Sequence, residues 1–495
     1  MTTLSYDPRS GATLGELSDS TEDEVRAAVA AAHEASPNVA DASPRARQVW
    51  LDAVAQTLLE HREELAELAD RETALGMDRL RGEVERAASQ LRFYAAVAVE
   101  GSYLGVTIDR PGAASPALVR VNVPLGPVAV FGASNFPFGF GVLGNDTASA
   151  LAAGCPVVVK SHPAHPLLSR RLGELAASAL AEAGAPEGTF GLVAGFEAGR
   201  LLVTHPDVRA VGFTGSQPGG LALWRLANER EVVIPVYAEM GTVNPAVMTP
   251  SAVDRLTEVA AGFVGSFTMG AGQFCTKPGL LLAPAGHGVA RAVGEALVAA
   301  APAPTMLTEN IASALSSTVE RLMAAGAEVV ATAPGSGTGW SGDALVLQAS
   351  ADAMRSGGAL TEECFGPVAV VVEYASVDEA SEILAGLQGS LAATIVTADD
   401  ADPDAAALLE VAARNVGRVT ANDWPTGVAW TWAQQHGGPW PATSHPGSTS
   451  VGAAALDRFV RPIAYQSVPD AWLPEAAREA NPWHLPRRVD GRLAR

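Results

Sequence analysis

Val128-Ala129-Val130-Phe131, Val157-Val158-Val159-Lys160, Thr189-Phe190-Gly191-Leu192-Val193 and Val208-Arg209-Ala210-Val211-Gly212-Phe213 are four short, mostly apolar runs. Helical spacing fills the intervals, at Asp146 to Ala153, Leu167 to Ala183 and Glu197 to Thr204. Strands this continuously apolar are covered on both faces, and their alternation with helices predicts a parallel α/β sheet. Ligands of such sheets sit at the carboxyl ends of the strands. Downstream, Tyr237-Ala238-Glu239-Met240-Gly241 ends a further strand, and a second α/β pattern runs from about Ser251 to Asn422. Its strands include Leu280-Leu281-Leu282, Val329-Val330 and Val368-Ala369-Val370-Val371-Val372. The expected fold class is α/β, with two parallel-sheet domains.

Upstream, residues 1–20 are turn-rich. Ser20-Thr21 opens a helix to about Ala35, with Glu24 three residues past Thr21 completing a capping box. Ser43-Pro44 starts a second helix with a capping residue and a proline at the first helical position. Val49, Leu51, Val54, Leu58 and Leu59 give that helix an amphipathic face. Leu80 to Val99 reads as a third helix. Tyr103 to Ile108 and Leu118 to Val123 then read as two strands around a Pro/Gly/Ala/Ser turn. An isolated hairpin is marginal in water, so this one is expected to pack on another element or another subunit. From Asp423 onward the chain is rich in Gly, Pro and Trp, and Arg461 to Gln466 reads as a late strand.

The chain has 495 residues, enough for two or three domains at ~100–200 residues each. A net charge of −21 argues against a nucleic-acid partner, because phosphate backbones demand clustered Lys and Arg. Cys155, Cys275 and Cys364 are the only cysteines, too few for a disulfide framework and suited to a reducing compartment. Met1 to Asp7 lacks the basic and apolar regions of a signal peptide. The longest uncharged runs are broken by Pro and Gly, so no membrane span is expected. The expectation is a cytoplasmic protein.

Chemistry concentrates at a few places. At the stretch Ser266 to Thr276, three glycines (Gly265 just before it, Gly270 and Gly272 within it) bring the backbone close to Cys275. Glycine serves where backbone must turn with positive φ or approach tightly. A lone cysteine beyond such a loop is either a small buried hydrophobe or a nucleophile held next to a substrate. After the first strand, Asn135 offers an amide for a developing oxyanion, or simply caps a turn. Lys160 either grips a ribose or phosphate or is solvated. Thr214-Gly215-Ser216 could lie near a dinucleotide at a helix N-terminus, although no G-x-G-x-x-G fingerprint occurs. Glu239 is a candidate base or a surface carboxylate. His162 and His165 form an H-x-x-H without further ligands at metal spacing, so they read as loop histidines and no metal is expected. Trp424, Trp430, Trp432 and Trp440 read as tunnel lining or lid packing.

The order of these pieces resembles the aldehyde dehydrogenase superfamily over essentially the whole chain. The matching motifs are Asn135-Phe136-Pro137, Lys160 after a strand, Phe213 to Ser216, Glu239-Met240-Gly241, Gly272 to Cys275, and Glu363-Cys364-Phe365-Gly366-Pro367. Within it, Lys160 to Pro166, Pro235 to Met240, Ser266 to Cys275, His436 to Thr443 and Arg458 to Pro462 look closest to ketoglutarate-semialdehyde (2,5-dioxopentanoate) and NADP-accepting members. The resemblance implies a Rossmann-like cofactor domain from 1–101 and 124–238 and a catalytic domain from 239–444. It implies an oligomerisation arm and C-terminal segment from 102–123 and 445–495, hence a homodimer or homotetramer. It also implies NAD(P)-dependent oxidation of a small aldehyde. Cys275 would be the nucleophile, Asn135 with the Cys275 N–H the oxyanion site, and Glu239 the base. Lys160, Thr214, Gly215, Ser216, Glu363 and Phe365 would hold the cofactor.

Two departures bear on this. Many members carry Glu three residues after the strand-end lysine, against the ribose 2′-hydroxyl; Pro163 stands there here, which leans the cofactor towards NADP. Gly241-Thr242-Val243 replaces the usual double glycine and lysine. Lys277, two residues past Cys275, reads as a solvent lysine, with a lowered thiol pKa the other reading. Rival readings are a coenzyme A-acylating relative, which Glu239 argues against, a broad aliphatic aldehyde dehydrogenase, and a catalytically silent scaffold of the same fold.

Overall fold

The structure, a computed structural model, describes residues 1–494. The four apolar runs form the strands Val128–Phe131, Val157–Lys160, Phe190–Val193 and Ala210–Gly215, joined by Val236–Met240 in one five-stranded parallel sheet. Its spatial order is Phe190–Val193, Val157–Lys160, Val128–Phe131, Ala210–Gly215, Val236–Met240. Strand order reverses between Val128–Phe131 and Ala210–Gly215, and a doubly wound sheet opens its ligand crevice at that point. Helices Asn145–Ala153 and Pro166–Glu182 cover one face with Pro44–Glu60 and Met77–Glu100, while Glu22–Asp41, Phe196–Thr204 and Gln217–Asn228 serve the other.

The chain leaves Val236–Met240 and, four residues on, enters Pro245–Met248 of a seven-stranded sheet. That sheet runs Glu328–Ala333, Ala344–Ala349, Val368–Tyr374, Leu280–Pro284, Pro245–Met248, Ser390–Val396, Val416–Ala421, and only Glu328–Ala333 is antiparallel. Cys275 lies just before Leu280–Pro284, and Glu363 and Phe365 just before Val368–Tyr374. The carboxyl end of the first sheet therefore meets the amino end of the second, and the candidate residues collect at that seam.

The N-terminal caps read from sequence are present. The Thr21 hydroxyl accepts from the Glu24 N–H, with Glu24 reaching back, and the Ser43 hydroxyl accepts from the Ala46 N–H. Helix Glu22–Asp41 runs past Ala35, carrying Pro37 inside it. Val49 points outward, and Trp50 takes its place on the buried face of Pro44–Glu60. The turn-rich reading of residues 1–20 is corrected: Thr2–Tyr6 and Thr13–Ser18 pair as an antiparallel hairpin. The helix Arg62–Thr73 places Glu72 under the N-terminus of Pro166–Glu182, where it accepts from the Leu167 and Leu168 N–H groups. A carboxylate there satisfies orphan donors at the positive end of the helix.

The first strand of the expected arm is short. Ser102–Leu104 is a turn and only Thr107–Asp109 is extended. It and Leu118–Pro124 join Val460–Gln466, Arg487–Val489 and Arg492–Ala494 in a separate five-stranded sheet. Among the described residues no helix is long and apolar enough to cross a membrane.

Candidate active site

A cavity of about 1270 Å³ occupies the seam. Lys160, Thr214, Gly215, Ser216, Glu363 and Phe365 all line it, as do Asn135 and Cys275. Ser216 caps the helix Gln217–Asn228 by accepting from the Gly219 N–H, and Gln217, Pro218 and Gly219 also face the cavity. A first turn so placed offers backbone donors and a positive helix end to a phosphate. Lys160 stands across from it; burial lowers its ammonium to about 8, and Asp19 nearby works against that shift. Gly241 is held by its N–H to the Gly215 carbonyl, 3.1 Å, and by the Gln217 amide to its own carbonyl, 3.0 Å. The Glu363 carboxyl lies so close over Gly241 that an added Cβ would meet its oxygens at 2.1 and 2.2 Å. The cavity thus offers a phosphate-binding helix end, a lysine and a carboxylate within one long cleft, which fits a nicotinamide dinucleotide.

Cys275 stands at the inner end, after a strained turn. Gly270, Ala271 and Gly272 have φ of +56°, +59° and +68°, all left-handed. The Cys275 carbonyl accepts from the Asn244 amide, 2.7 Å. Asn135 is buried, and its amide donates to the Gln273 carbonyl at 2.8 Å, two residues before the thiol.

The structure adds a residue to which the sequence reading gave no role. His436 Nε2 lies 3.6 Å from Cys275 Sγ and 3.0 Å from Glu239 Oε2. His436 and Glu239 are almost wholly buried, at 1% and 3% exposure. The segment carrying His436 is secured beside Val236–Met240: Met240 N–H donates to the Ala442 carbonyl, 2.8 Å, and Ser444 N–H to the Ala238 carbonyl, 3.0 Å. Ser450 Oγ also donates to Glu239 Oε2, 3.4 Å. Glu239 Oε1 and His436 Nδ1 are buried without partners. Burial pushes the Cys275 thiol well above its ordinary range, and the Glu239 and Glu363 carboxylates push the same way. A thiol so placed rests protonated and needs a base at hand.

Other residues depart from expectation. Lys277 is buried, and its ammonium donates to the Cys364 and Val368 carbonyls at 2.8 and 2.7 Å. It ties the cysteine loop to the Glu363 loop rather than facing solvent. The tryptophans do not cluster: Trp424 packs on Phe263, Trp440 on Trp224, Trp432 near Phe93, and only Trp430 reaches Phe140 beside the site. His162 and His165 stay on the loop after Val157–Lys160, His165 buried and His162 half-buried at the cavity wall, and burial lowers both imidazoles. Cys155 and Cys364 are buried.

The comparisons with known proteins accord with this geometry. Residues 2–461 match the model of the aldehyde dehydrogenase family. The chain is 44% identical to alpha-ketoglutaric semialdehyde dehydrogenase 2 of Azospirillum brasilense, covering 90% of this chain and 87% of that protein. It is 38% identical to alpha-ketoglutaric semialdehyde dehydrogenase of Acinetobacter baylyi, covering 96% and 93%. The crystal structure of an NAD-dependent aldehyde dehydrogenase from Sinorhizobium meliloti superposes with a TM-score of 0.81 at 25% identity, covering 96% of this chain and 93% of that one. With a half-buried thiol at the seam of two α/β sheets and a family match across nearly its full length, this chain belongs to the aldehyde dehydrogenase family.

Proposed function

We propose that this enzyme oxidises ketoglutarate semialdehyde (2,5-dioxopentanoate) to 2-oxoglutarate, using NADP in preference to NAD, through a thiohemiacetal and thioester on Cys275. The observation that carries the mechanism is the cluster of Cys275 Sγ, His436 Nε2 and Glu239 Oε2, with Nε2 3.6 Å from the sulfur and 3.0 Å from the carboxylate oxygen. A nucleophile within reach of a base that is itself held by a third group is the arrangement by which a weak nucleophile is activated. The names of the two relatives support the substrate.

His436 Nε2 takes the thiol proton, and Glu239 steadies the imidazolium that results. The thiolate attacks the aldehyde carbon. The Cys275 N–H and the Asn135 amide, turning from the Gln273 carbonyl, hold the oxyanion. A bound nicotinamide supplies the hydride acceptor. Glu239, whose Oε1 has no partner, then draws a proton from the water that attacks the thioester; the acid leaves and the thiol is restored. Lys160, Thr214, Gly215 and Ser216 hold the adenosine and phosphate end of the cofactor, and Glu363 and Phe365 the nicotinamide end. Pro163 lines the cavity near Lys160, where a carboxylate would repel a 2′-phosphate.

A dicarboxylic semialdehyde needs a cation at its far end, and we assign Arg79. Its guanidinium lies 5.1 and 5.2 Å from the Phe136 and Phe274 ring centres, and Nη2 donates to the Asn135 carbonyl, 2.6 Å. Its Nε and Nη1 make no hydrogen bond among the described residues, which leaves donors for a carboxylate.

We assign residues 1–101 and 124–238 to cofactor binding and 239–444 to catalysis. The sheet containing Leu118–Pro124 and Val460–Gln466 serves assembly into a homodimer or homotetramer, the outer strand Val460–Gln466 offering its free edge. Three free cysteines accord with the cytoplasm.

The test is kcat/KM for 2,5-dioxopentanoate against a simple aliphatic aldehyde, each with NAD and NADP, for wild type and Arg79→Met. The expected result is a preference for the keto-semialdehyde that Arg79→Met removes, by about 10–100-fold for one lost charged contact. Equal rates for both aldehydes would leave a broad aldehyde dehydrogenase and overturn the substrate assignment.

A further inference from the structure

We propose that Cys275, His436 and Glu239 together form a binding site for a divalent transition metal, Zn²⁺ being the best fit, and that occupancy blocks aldehyde oxidation. The blocking rests on the reading of Cys275 as nucleophile; the binding does not.

The three side chains offer one sulfur, one imidazole nitrogen and one carboxylate oxygen, the donor set of a three-ligand zinc site that keeps a fourth position open. Their ligand atoms all lie within 4.8 Å of one another. Tetrahedral Zn²⁺ with ordinary bond lengths sets a sulfur and a nitrogen about 3.5 Å apart, and a nitrogen and an oxygen about 3.3 Å apart. Sγ to Nε2 is 3.6 Å and Nε2 to Oε2 is 3.0 Å, so these two pairs already stand near the tetrahedral spacing. Glu239 Oε1 is buried in the same place without a partner, an acceptor that a cation would satisfy. Cys275 lines the large cavity, which gives the ion a route and leaves room for water as fourth ligand.

Binding forms the sulfur–metal bond as the thiol proton leaves to solvent; the imidazole and carboxylate give lone pairs, and nothing is oxidised or reduced. His436 Nδ1 has no hydrogen-bond partner, so the usual outer support of a metal-bound imidazole is missing. The site is therefore reversible, filled and emptied with free metal concentration. Occupied, it ties up the thiol, its base and the water-activating carboxylate at once.

The test uses the full-length, cofactor-free protein in a His33→Ala/His205→Ala background. That background removes a surface group in which both imidazoles lie 3.9 Å from Asp207. Competition with a chromophoric chelator gives Zn²⁺ affinity and stoichiometry, and Co²⁺ in place of Zn²⁺ reports the ligands through its spectrum. Expected are one metal per chain, a thiolate-to-cobalt charge-transfer band, and at least 100-fold weaker binding in His436→Gln and in Cys275→Ala. Near-UV circular dichroism identifies folded variants, and Glu239→Gln supplies an independent arm if one of them does not fold. Unchanged affinity in the folded variants, or a cobalt spectrum without the thiolate band, would overturn the site. Activity lost in step with occupancy and restored by chelator supports the blocking. Full activity at full thiolate-bound occupancy would uphold the metal site while overturning Cys275 as nucleophile.

Discussion

His436 carries the sharpest single-residue consequence. The Cys275 thiol is raised by burial and by two nearby carboxylates, so at neutral pH it rests as thiol. With Nε2 3.6 Å away, the proton has a local acceptor and the alkaline requirement is relaxed. His436→Gln keeps the volume and removes that acceptor. The variant then depends on thiolate formed by ordinary ionisation, whose share grows as pH rises towards a raised pKa. The expected outcome is a loss of about 10²–10⁴-fold in kcat at neutral pH, the usual range for one acid–base group, with a rate that climbs steadily as pH rises. A loss that is the same at every pH would assign His436 to packing alone. Reading this residue from the chain was hard for a physical reason. The motif His436 to Thr443 stands in the sequence, but its partner lies 161 residues upstream, and only the pairing of Ala442 and Ser444 onto Val236–Met240 brings the two together. Lys277 misled in the same way, because the carbonyls that hold it belong to Cys364 and Val368, 87 and 91 residues on. Cys275, Glu239 and Asn135 stood out as candidates because each follows or precedes an apolar strand.

At the scale of elements, the turn Met269–Gly272 determines where the thiol sits. A Cβ on Gly272 would lie 2.2 Å from the Gly366 carbonyl group and 2.4 Å from the Pro367 nitrogen, backbone that cannot step aside cheaply. Its φ of +68° adds strain for any L side chain. Gly272→Ala must therefore displace either the cysteine loop or the Glu363–Phe365 loop. A misplacement of about 1 Å costs on the order of 10²-fold in rate. We expect kcat with aldehyde to fall by that order while the protein stays folded, measured by steady-state kinetics beside a thermal melt. An unchanged kcat would show that the turn does not set the thiol's position. Two of the three glycines in the sequence, Gly270 and Gly272, mark this turn, whereas Gly265 lies inside the helix Leu256–Thr268 with open space where a Cβ would stand, and other elements were hidden. Thr2–Tyr6 and Thr13–Ser18 are mostly exposed or half-buried, so no apolar run betrays them. Arg62–Thr73 is dense in charge and packs on the core through Leu65, Leu68 and neighbouring alanines. Strands of the first sheet were the reverse case: apart from the half-buried edge strand Phe190–Val193 they are mostly buried, and each apolar run marks its strand's ends within two residues.

At the scale of the whole molecule, one buried ion pair joins the C-terminal segment to the first sheet's helices and, through them, to the site. Arg458 Nη1 lies 2.8 Å from Asp146 Oδ1, with exposures of 2% and 6%. The same guanidinium donates to Ser149 Oγ at 3.1 Å and to the Ala455 and Ser450 carbonyls, and it lies 4.8 Å from the Phe459 ring centre. Ser450 in turn donates to Glu239. A well-packed apolar replacement of both partners can be tolerated, but removing one leaves the other charged and buried, which costs about 3–5 kcal/mol. Arg458→Met therefore strands Asp146, and the expected result is a destabilisation of that size, read as a lowered urea midpoint with a lower melting temperature. Arg458→Met/Asp146→Leu should recover most of the loss, because no charge is then left unpaired. Equal instability in the single and double variants would mean that packing around Phe459, rather than the charge pair, holds the C-terminal segment in place. Ser450 keeps its hydrogen bonds to the His436 carbonyl and from the Asn145 amide when Arg458 is removed, so the expected loss is of stability, with thioester release by Glu239 retained in the folded fraction.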